Sequence, residues 1–430
     1  MSNKTNTTAA VNGDKRALAP NLRFPEFRDA GEWTTETLGS LAIVSREKVG
    51  DNTCIPMSIT SGVGLVSQLE KFGRIIAGNS YANYLLLKKN DFAYNKSATK
   101  EYPEGFIALY SGDELAAVPN SIFTCFRIKG DSPAPQYLNY LLLGNLHGKW
   151  LRKFIEVGAR AHGSLSIDED DLLALPVPLP GGKTSFREQQ KIADCLSSAD
   201  ELIAAQVRKV DALKTHKKGL MQQLFPRKGE TQPRLRFPEF RDAGEWEEKP
   251  LGEVATYENG KAYEQDITDD GRYVVVNSRF ISTDGAARKY TNADYLTADA
   301  DDVLMVLSDL PKGRALAKCY FVEEDDRYAV NQRVCRLKAK QLNPKFLFFI
   351  LDRNPSLLAY DDGQNQTHLS KGSVLECPLL VSPSNEEQQR IADCLTALDD
   401  LITAHTQELA AFKTHKKGLM QQLFPSIEEA

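Results

Sequence analysis

Two polar segments, GARAHGS at residues 158–164 and GQNQTHLSKG at 363–372, combine small residues with amide, imidazole and basic side chains. Gln and Asn can form paired hydrogen bonds with the edge of adenine, and Arg can do so with guanine. Lys, Ser and Thr side chains bind phosphate oxygens. These residue types indicate contacts with a nucleic acid, although polar glycine-rich loops are also typical of an ordinary solvated surface.

Other polar and basic segments follow predicted strands or helices in both halves of the chain. The candidate DNA contacts in the first half are Lys96, Lys100, Lys149, Arg152, Lys153, Arg160, His162 and Ser164. Those in the second half are Asn277, Arg279, Lys312, Arg314, Gln364, Asn365, Gln366, Thr367, His368 and Lys371. The net charge of −5 does not itself indicate nucleic-acid binding. Such a function requires the basic groups to be concentrated on one face.

Motifs of enzymatic chemistry are missing from the sequence. There is no phosphate-binding P-loop, no H-E-x-x-H, no dinucleotide fingerprint, no amino-methyltransferase tetrapeptide and no Cys/His cluster with metal spacing. The seven cysteines form no C-x-x-C pair and suit a reducing, cytoplasmic protein. We therefore predict no catalytic residue and no metal site, and a stand-alone enzyme remains a less favoured alternative.

The chain is an internal duplication. LRFPEFRDAGEW occurs at 22–33 and again at 235–246, and KTHKKGLMQQLFP occurs at 214–226 and again at 413–425. The segments between these repeats share only sparse landmarks, such as an Asp and an Asn that are 29 residues apart in both. One fold carried twice with different surfaces explains this pattern, and duplication followed by domain exchange is the alternative. Shared segments then meet a common partner, whereas divergent segments meet different targets.

The repeats set the predicted domain boundaries. We expect tails at 1–20 and 426–430, a first recognition domain at 21–184, a first spacer helix at 185–226, a second recognition domain at 227–383 and a second spacer helix at 384–425. The fold class is mixed α/β (α+β). Short apolar runs, including IIAG at 75–78, predict mostly antiparallel sheets, and PQYLNYLLLGNLHGKWLRKFIEVG at 135–158 and PKFLFFILDRNPSLLAY at 344–360 predict helices that begin at proline.

Apolar residues recur in alternating steps of three and four along both spacer helices, which predicts a coiled-coil seam. The seam residues are Ile192, Leu196, Ile203, Val210, Leu213, Leu220, Ile391, Leu395, Leu398, Ile402, Leu409, Phe412 and Leu419. Ser-x-x-Glu capping boxes precede both helices. We expect an antiparallel pair related by a pseudo-two-fold axis. Lys217 and Lys416 occupy equivalent seam positions, where they either fix the register or extend to solvent.

The repeated dodecapeptide contains aromatic residues that are candidates for a partner interface. They are Phe24, Phe27, Trp33, Phe237, Phe240 and Trp246. The same residues serve equally well as anchors in the protein's own core. Exposed-looking charges such as Arg28, Asp29 and Glu32 are retained in the second copy, which favours a shared partner.

The order of dodecapeptide, variable domain, EQQ-x-IADCL and KKGLMQQLFP, all repeated, resembles the DNA-specificity subunit of type I restriction–modification systems. HLSK at 368–371 resembles a sequence motif of that family, whereas the first copy has GARAHGSLS at the equivalent position. The resemblance implies a non-catalytic subunit whose two domains each recognise half of a bipartite double-stranded DNA site, with helices setting the spacer. It implies two methyltransferase subunits and restriction subunits as partners, which supply S-adenosylmethionine, ATP and Mg²⁺. A coiled-coil scaffold without a nucleic-acid role is the remaining alternative.

Overall fold

The computed structural model describes residues 18–60, 62–78, 81–155, 160–161, 164–165, 167–308, 315–360 and 368–426. The chain forms two compact units. The first comprises the chain up to Gln206 together with the segment from Glu408 onward, and the second is Val207–Gln407. Each unit therefore contains one recognition domain, the first half of the helix that follows it and the second half of the other helix.

The first unit contains two four-stranded sheets. One is antiparallel throughout, and its strands follow the order Ala42–Ser45, Phe123–Ile128, Phe92–Asn95 and Phe106–Leu109. The other follows the order Gly64–Ser67, Ile55–Thr60, Ala116–Val118 and Leu85–Leu87, and its central pair is parallel. Two further antiparallel pairs join Thr34–Thr37 to Pro176–Leu179 and Arg160–Ala161 to Ser164–Leu165.

The second unit repeats this topology. Its antiparallel sheet follows the order Ala255–Asn259, Val334–Ala339, Val303–Val306 and Cys319–Phe321. Its mixed sheet has one extra edge strand and follows the order Ile267–Thr268, Tyr290–Thr291, Tyr273–Val276, Tyr328–Val330 and Thr297–Ala298, again with a central parallel pair. Glu247–Pro250 pairs with Pro378–Val381. The two divergent segments thus share one fold, as the sequence landmarks predict.

The predicted helices of both recognition domains are each interrupted. Pro135–Leu143 is followed by Leu146–Leu151, and Pro344–Leu351 by Pro355–Leu358. Asn145 and Arg353 have positive φ angles of 64° and 56°, which turn the chain between the helices. The remaining short helices are Pro25–Phe27, Leu38–Leu41, Gln68–Phe72, Tyr81–Asn83, Glu169–Leu173, Pro238–Phe240, Leu251–Val254, Ser278–Ser282 and Lys371–Leu375.

The strand predicted at residues 75–78 does not form. Ile75 and Ile76 are 57% and 54% exposed. The backbone N–H groups of Ile76 and Ala77 donate to the Oε1 atom of the buried Gln68 side chain, at 2.9 and 3.0 Å. A side-chain acceptor replaces the neighbouring strand that these groups would otherwise need.

The spacer helices are Ser185–Leu224, of 40 residues, and Asn385–Leu423, of 39. Within each unit they run antiparallel. In the first unit Lys416 lies 2.5 Å from Asp200, and Gln206 donates to Glu408 at 2.8 Å. In the second, Lys217 lies 2.6 Å from Asp399. Every predicted seam residue is buried or half-buried, so the heptad pattern and the mixed fold class are confirmed.

Each spacer helix begins with a Glu-Gln pair that joins three elements. The buried Glu188 accepts two hydrogen bonds from Arg23 of the first dodecapeptide, at 2.8 and 2.7 Å, and Glu387 accepts two from Arg236. The neighbouring Gln189 accepts from the backbone N–H of Ala134, where the Pro135–Leu143 helix begins. The capping-box prediction is only partly correct. Ser384 accepts from the Glu387 N–H at 3.1 Å as predicted, but the carboxylates of Glu188 and Glu387 bind arginine rather than the backbone at the start of the helix.

Candidate nucleic-acid interface

The first unit brings its predicted contact segments together at the ends of neighbouring strands. Strand Phe92–Asn95 leads directly to Lys96, whose backbone carbonyl accepts a hydrogen bond from Leu165 at 2.9 Å. The Lys96 N–H donates to the carbonyl of Ile122 at 2.9 Å. The 95–100 segment therefore lies beside the hairpin that contains Arg160 and Ser164. His162 lies outside the described residues, so its placement stays a prediction.

The second unit forms the equivalent junction. Leu307 follows strand Val303–Val306, and its carbonyl accepts from Leu369 at 2.9 Å while its N–H donates to Arg333 at 2.9 Å. Ser308 and His368 form a β-bridge. Leu307 and Ser308 thus meet His368 and Leu369 at this point. Lys312, Arg314, Gln364, Asn365, Gln366 and Thr367 lie outside the described residues and stay predictions.

A buried aspartate positions the strand that leads to each junction. Asp91, fully buried, accepts from the Lys88 N–H at 2.8 Å and from Arg127 at 2.6 and 2.7 Å. The hydrogen bond with this carboxylate raises the pKa of Arg127. Asp302 occupies the same position in the second unit and accepts from the Asp299 N–H at 2.9 Å. Its arginine, Arg336, is more distant at 3.7 Å, and burial raises the pKa of Asp302.

Three cations lie at and just after the Leu146–Leu151 helix of the first unit, and all three are exposed. The Arg152 side chain is 69% exposed and donates to Glu104, a carboxylate that is 2% exposed. Lys149 and Lys153 are exposed, and the Lys153 ammonium lies 5.3 Å from the ring centroid of Trp150. The nearby His147 is buried beside Tyr94, and burial lowers its pKa to about 4, which keeps the imidazole neutral near pH 7. Lys100 is also exposed.

In the second unit some of the candidate DNA contacts are exposed, and one already has a hydrogen-bond partner in the protein. Asn277 caps the Ser278–Ser282 helix by accepting from the Phe280 N–H at 2.9 Å, so its oxygen already has a backbone partner. Arg279 and His368 are exposed. Lys371 is exposed at the first position of its helix, with its ammonium 5.7 Å from the Tyr257 ring. Arg279, His368 and Lys371 therefore present polar groups to solvent.

The sequence pattern does not single out two exposed residues of this junction. Gln332 and Arg333 lie in the turn between Tyr328–Val330 and Val334–Ala339. The turn contacts the end of Tyr273–Val276, where the Asn331 N–H donates to Val276 at 3.1 Å. The Asn landmark that aligns the two copies directly precedes them in the sequence. That signal could have pointed to the turn, because it marks where the two sheets of the unit meet.

The aromatic residues of the dodecapeptides are mainly core residues. Trp33 and Trp246 are 4% and 2% exposed, and Phe27 is also buried. Phe24, Phe237 and Phe240 are half-buried. A buried ring offers little surface to a partner, so these positions have a structural role whatever else they do, and their assignment to a partner interface stays a prediction. The exposed charges are Arg28, Asp29 and Glu32 in the first copy and Arg241, Asp242 and Glu245 in the second.

The described residues contain no group of three His, Cys, Asp or Glu side chains that could hold a metal ion. Nor does any helix among them have the length and apolarity needed to cross a membrane. What the two junctions offer is amide, guanidinium, imidazole and ammonium groups at strand ends. Such groups hydrogen bond with base edges and phosphates.

Comparisons with known proteins agree with this description. Residues 243–413 match the family model of the type I restriction modification DNA specificity domain. The MjaX specificity subunit of a type I restriction enzyme from Methanocaldococcus jannaschii is 24% identical over 328 residues, 74% of each chain. The MjaVIII specificity subunit from the same organism is 24% identical over 290 residues, 64% of this chain and 67% of the relative.

Solved structures share the fold across nearly the whole chain. The S subunit of a type I restriction-modification system from M. genitalium has a TM-score of 0.58 and 16% identity, and the match covers 96% of this chain and 100% of that one. A chain from a study of complex assembly and conformational transition of the type I R-M system has a TM-score of 0.55 and 15% identity, with coverage of 92% and 98%.

The duplicated fold and the paired helices define a protein with two domains of one topology, each with polar residues at its strand ends. The family match and the similarities to curated subunits are more specific than the fold. They confirm the resemblance to the DNA-specificity subunits of type I restriction–modification systems.

Proposed function

We propose that this chain recognises a bipartite double-stranded DNA sequence, with one half bound by each recognition domain. The observation that supports this is a contrast within one molecule. The two units share sheet order and buried Asp–Arg pairs, yet their strand-end segments differ in almost every residue. One scaffold with two unlike surfaces suits two different half-sites, since base edges are distinguished by the side chains that meet them.

The chain contributes sequence recognition and no catalysis in this proposal. Two methyltransferase subunits supply S-adenosylmethionine and modify adenine after extruding it from the duplex. Restriction subunits, with ATP and Mg²⁺, join the same assembly. The spacer helices set the distance between the half-sites.

The repeated surfaces are the proposed docking sites for the two methyltransferase subunits. Arg28 and Asp29, with Arg241 and Asp242, form no side-chain hydrogen bond or ion pair within the described part of the chain, although they are identical in both copies. Leu202 and Leu401 occupy equivalent helix positions and are 58% and 47% exposed. Two identical exposed surfaces suit two copies of one partner.

A domain exchange tests the proposal. Residues 34–184 are replaced by the equivalent segment of another specificity subunit, and methylated adenines are mapped in a host that carries the complex. The exchanged segment begins and ends beside the antiparallel pair of Thr34–Thr37 and Pro176–Leu179. Both strands of this pair therefore come from the donor. We expect one half-site to change and the other to stay the same.

The matched control replaces 247–383, which should change the other half-site. A change in both halves from either exchange would contradict the modular proposal. The donor needs a helix N-terminus at the position of Ala134, because Gln189 accepts a hydrogen bond from that N–H at 2.9 Å.

A further inference from the structure

A basic cavity of about 1090 Å³ lies within the first unit, between the Leu146–Leu151 helix and the last turns of the second spacer helix. Five lysines line it, namely Lys149, Lys153, Lys413, Lys416 and Lys417. No aspartate or glutamate is among the described residues of its lining. The aromatic rings of Tyr102, Trp150 and Phe424 complete the wall.

The lysines differ in how their charges are balanced. Lys416 is paired with Asp200 at 2.5 Å and lies 5.2 Å from the Tyr140 ring centroid. Lys149, Lys413 and Lys417 are exposed, and their ammonium groups form no ion pair or hydrogen bond with the described residues. The charges of Lys149, Lys413 and Lys417, which no described carboxylate pairs, concentrate positive charge that attracts a polyanion.

The cavity continues from the predicted contact segment of the same unit. Tyr102, in its wall, exchanges two hydrogen bonds with Thr99, one to the side chain and one from the backbone, both at 3.0 Å. Thr99 and Lys100 belong to the 95–100 segment at the strand-end junction. A strand of DNA that meets this segment can therefore extend its phosphates along the lysine-lined wall.

The second unit contains the same repeated helix sequence but has no counterparts of Lys149 and Lys153. Lys214 and Lys218 match Lys413 and Lys417, but residues 354–362, which follow Arg353 as residues 146–154 follow Asn145, contain no lysine or arginine. A protein partner that binds both repeats alike would not require the added lysines of the first unit. The asymmetry favours a ligand that differs between the units, as the two DNA half-sites do.

We propose that Lys149, Lys153, Lys413 and Lys417 bind the phosphate backbone of DNA at the first half-site. The last turns of the second spacer helix thereby take part in DNA binding by the first recognition domain. This inference rests on the proposed function and adds a surface that lies outside the recognition domain itself. It also makes the two half-sites unequal, because binding at the first depends more strongly on salt.

The test compares two variants that change the same residues of the two repeats. K413Q/K417Q and, as its matched control, K214Q/K218Q are prepared in the full chain and assembled with the methyltransferase subunits. The probe is a duplex with the site found by mapping methylated adenines, and affinity is measured by fluorescence anisotropy over a range of salt concentrations. Each lost phosphate contact reduces the slope of log K against log salt by about 0.9.

We expect K413Q/K417Q to reduce the magnitude of this slope by about 2 and K214Q/K218Q to leave it unchanged. K149Q/K153Q should act in the same direction as K413Q/K417Q. Thermal unfolding of all three variants shows whether each folds, and exposed Lys-to-Gln changes should preserve the fold. A slope that changes equally in the two repeats, or in neither, would overturn the inference.

Two further outcomes identify which proposal fails. Loss of partner assembly in sedimentation, with an unchanged slope, assigns the lysines to an acidic protein surface and overturns the DNA inference. If the unmodified complex binds this duplex no better than a random one, the proposed function itself fails.

Discussion

At the scale of single residues, part of the repeated sequence is explained by internal packing. Arg23 and Arg236 bind buried glutamates that begin the spacer helices, and the next residue of each helix contacts the recognition domain. The repeats must keep these residues so that each domain holds its helix at a fixed angle. Arg28 and Asp29 have no such internal role, so their identity in both copies needs an external explanation.

Removal of the arginine of this clamp should destabilise its unit. R23A leaves the Glu188 carboxylate, 1% exposed, without its cation, and we expect a loss of about 3 kcal/mol in the free energy of unfolding. R236A should act similarly through Glu387. R28A is the matched control at an exposed position and should change stability by less than about 0.5 kcal/mol. Urea unfolding measures all three, and equal stability of R23A and R28A would contradict the clamp.

At the scale of elements, the spacing of apolar residues predicts regular helices and strands but does not predict where single residues interrupt them. The seam, both long helices and most central strands follow from the spacing of apolar residues. The helix breaks at Asn145 and Arg353 each depend on one residue with a positive φ angle. The absence of a strand at 75–78 depends on one buried glutamine. The Arg23–Glu188 ion pair joins residues 165 positions apart in the sequence. No single-sequence pattern encodes such partners, and for the same reason candidate contacts with DNA bases can be predicted only by residue type.

The seam lysines illustrate this limit and can be tested. The sequence left open whether Lys217 and Lys416 fix the register or extend to solvent, and the structure pairs each with an aspartate of the other helix. In a double-mutant cycle of D200N and K416M we expect a coupling energy of about 1 kcal/mol, and a similar value for D399N with K217M. D200N alone should cost more than D399N, because Asp200 also accepts from the Tyr140 hydroxyl at 2.8 Å. Additive effects in chemical unfolding would show that the lysines are simply solvated.

At the scale of the whole molecule, the spacer helices connect the proposed DNA function to the fold. Each helix passes from one compact unit into the other, with the change at Gln206–Val207 in the first and at Gln407–Glu408 in the second. The helices pair antiparallel within each unit. If only one helix were lengthened, the Lys416–Asp200 and Lys217–Asp399 ion pairs could not both keep their partners. A length change must therefore be matched in both helices.

Seven residues inserted in each spacer helix, between Gln206 and Val207 and between Gln407 and Glu408, should lengthen the preferred DNA spacer. One heptad preserves the phase of the seam to within about 20° and adds about 10.5 Å of helix. At about 3.4 Å per base pair this corresponds to about three base pairs. Mapping of methylated adenines should then show unchanged half-sites with a longer gap between them. Insertion of two residues in each helix is the control, since it turns the apolar stripes by about 200° and should abolish DNA modification. If the gap between the half-sites were unaltered after the matched insertions, the length of the helices would not determine the DNA spacer.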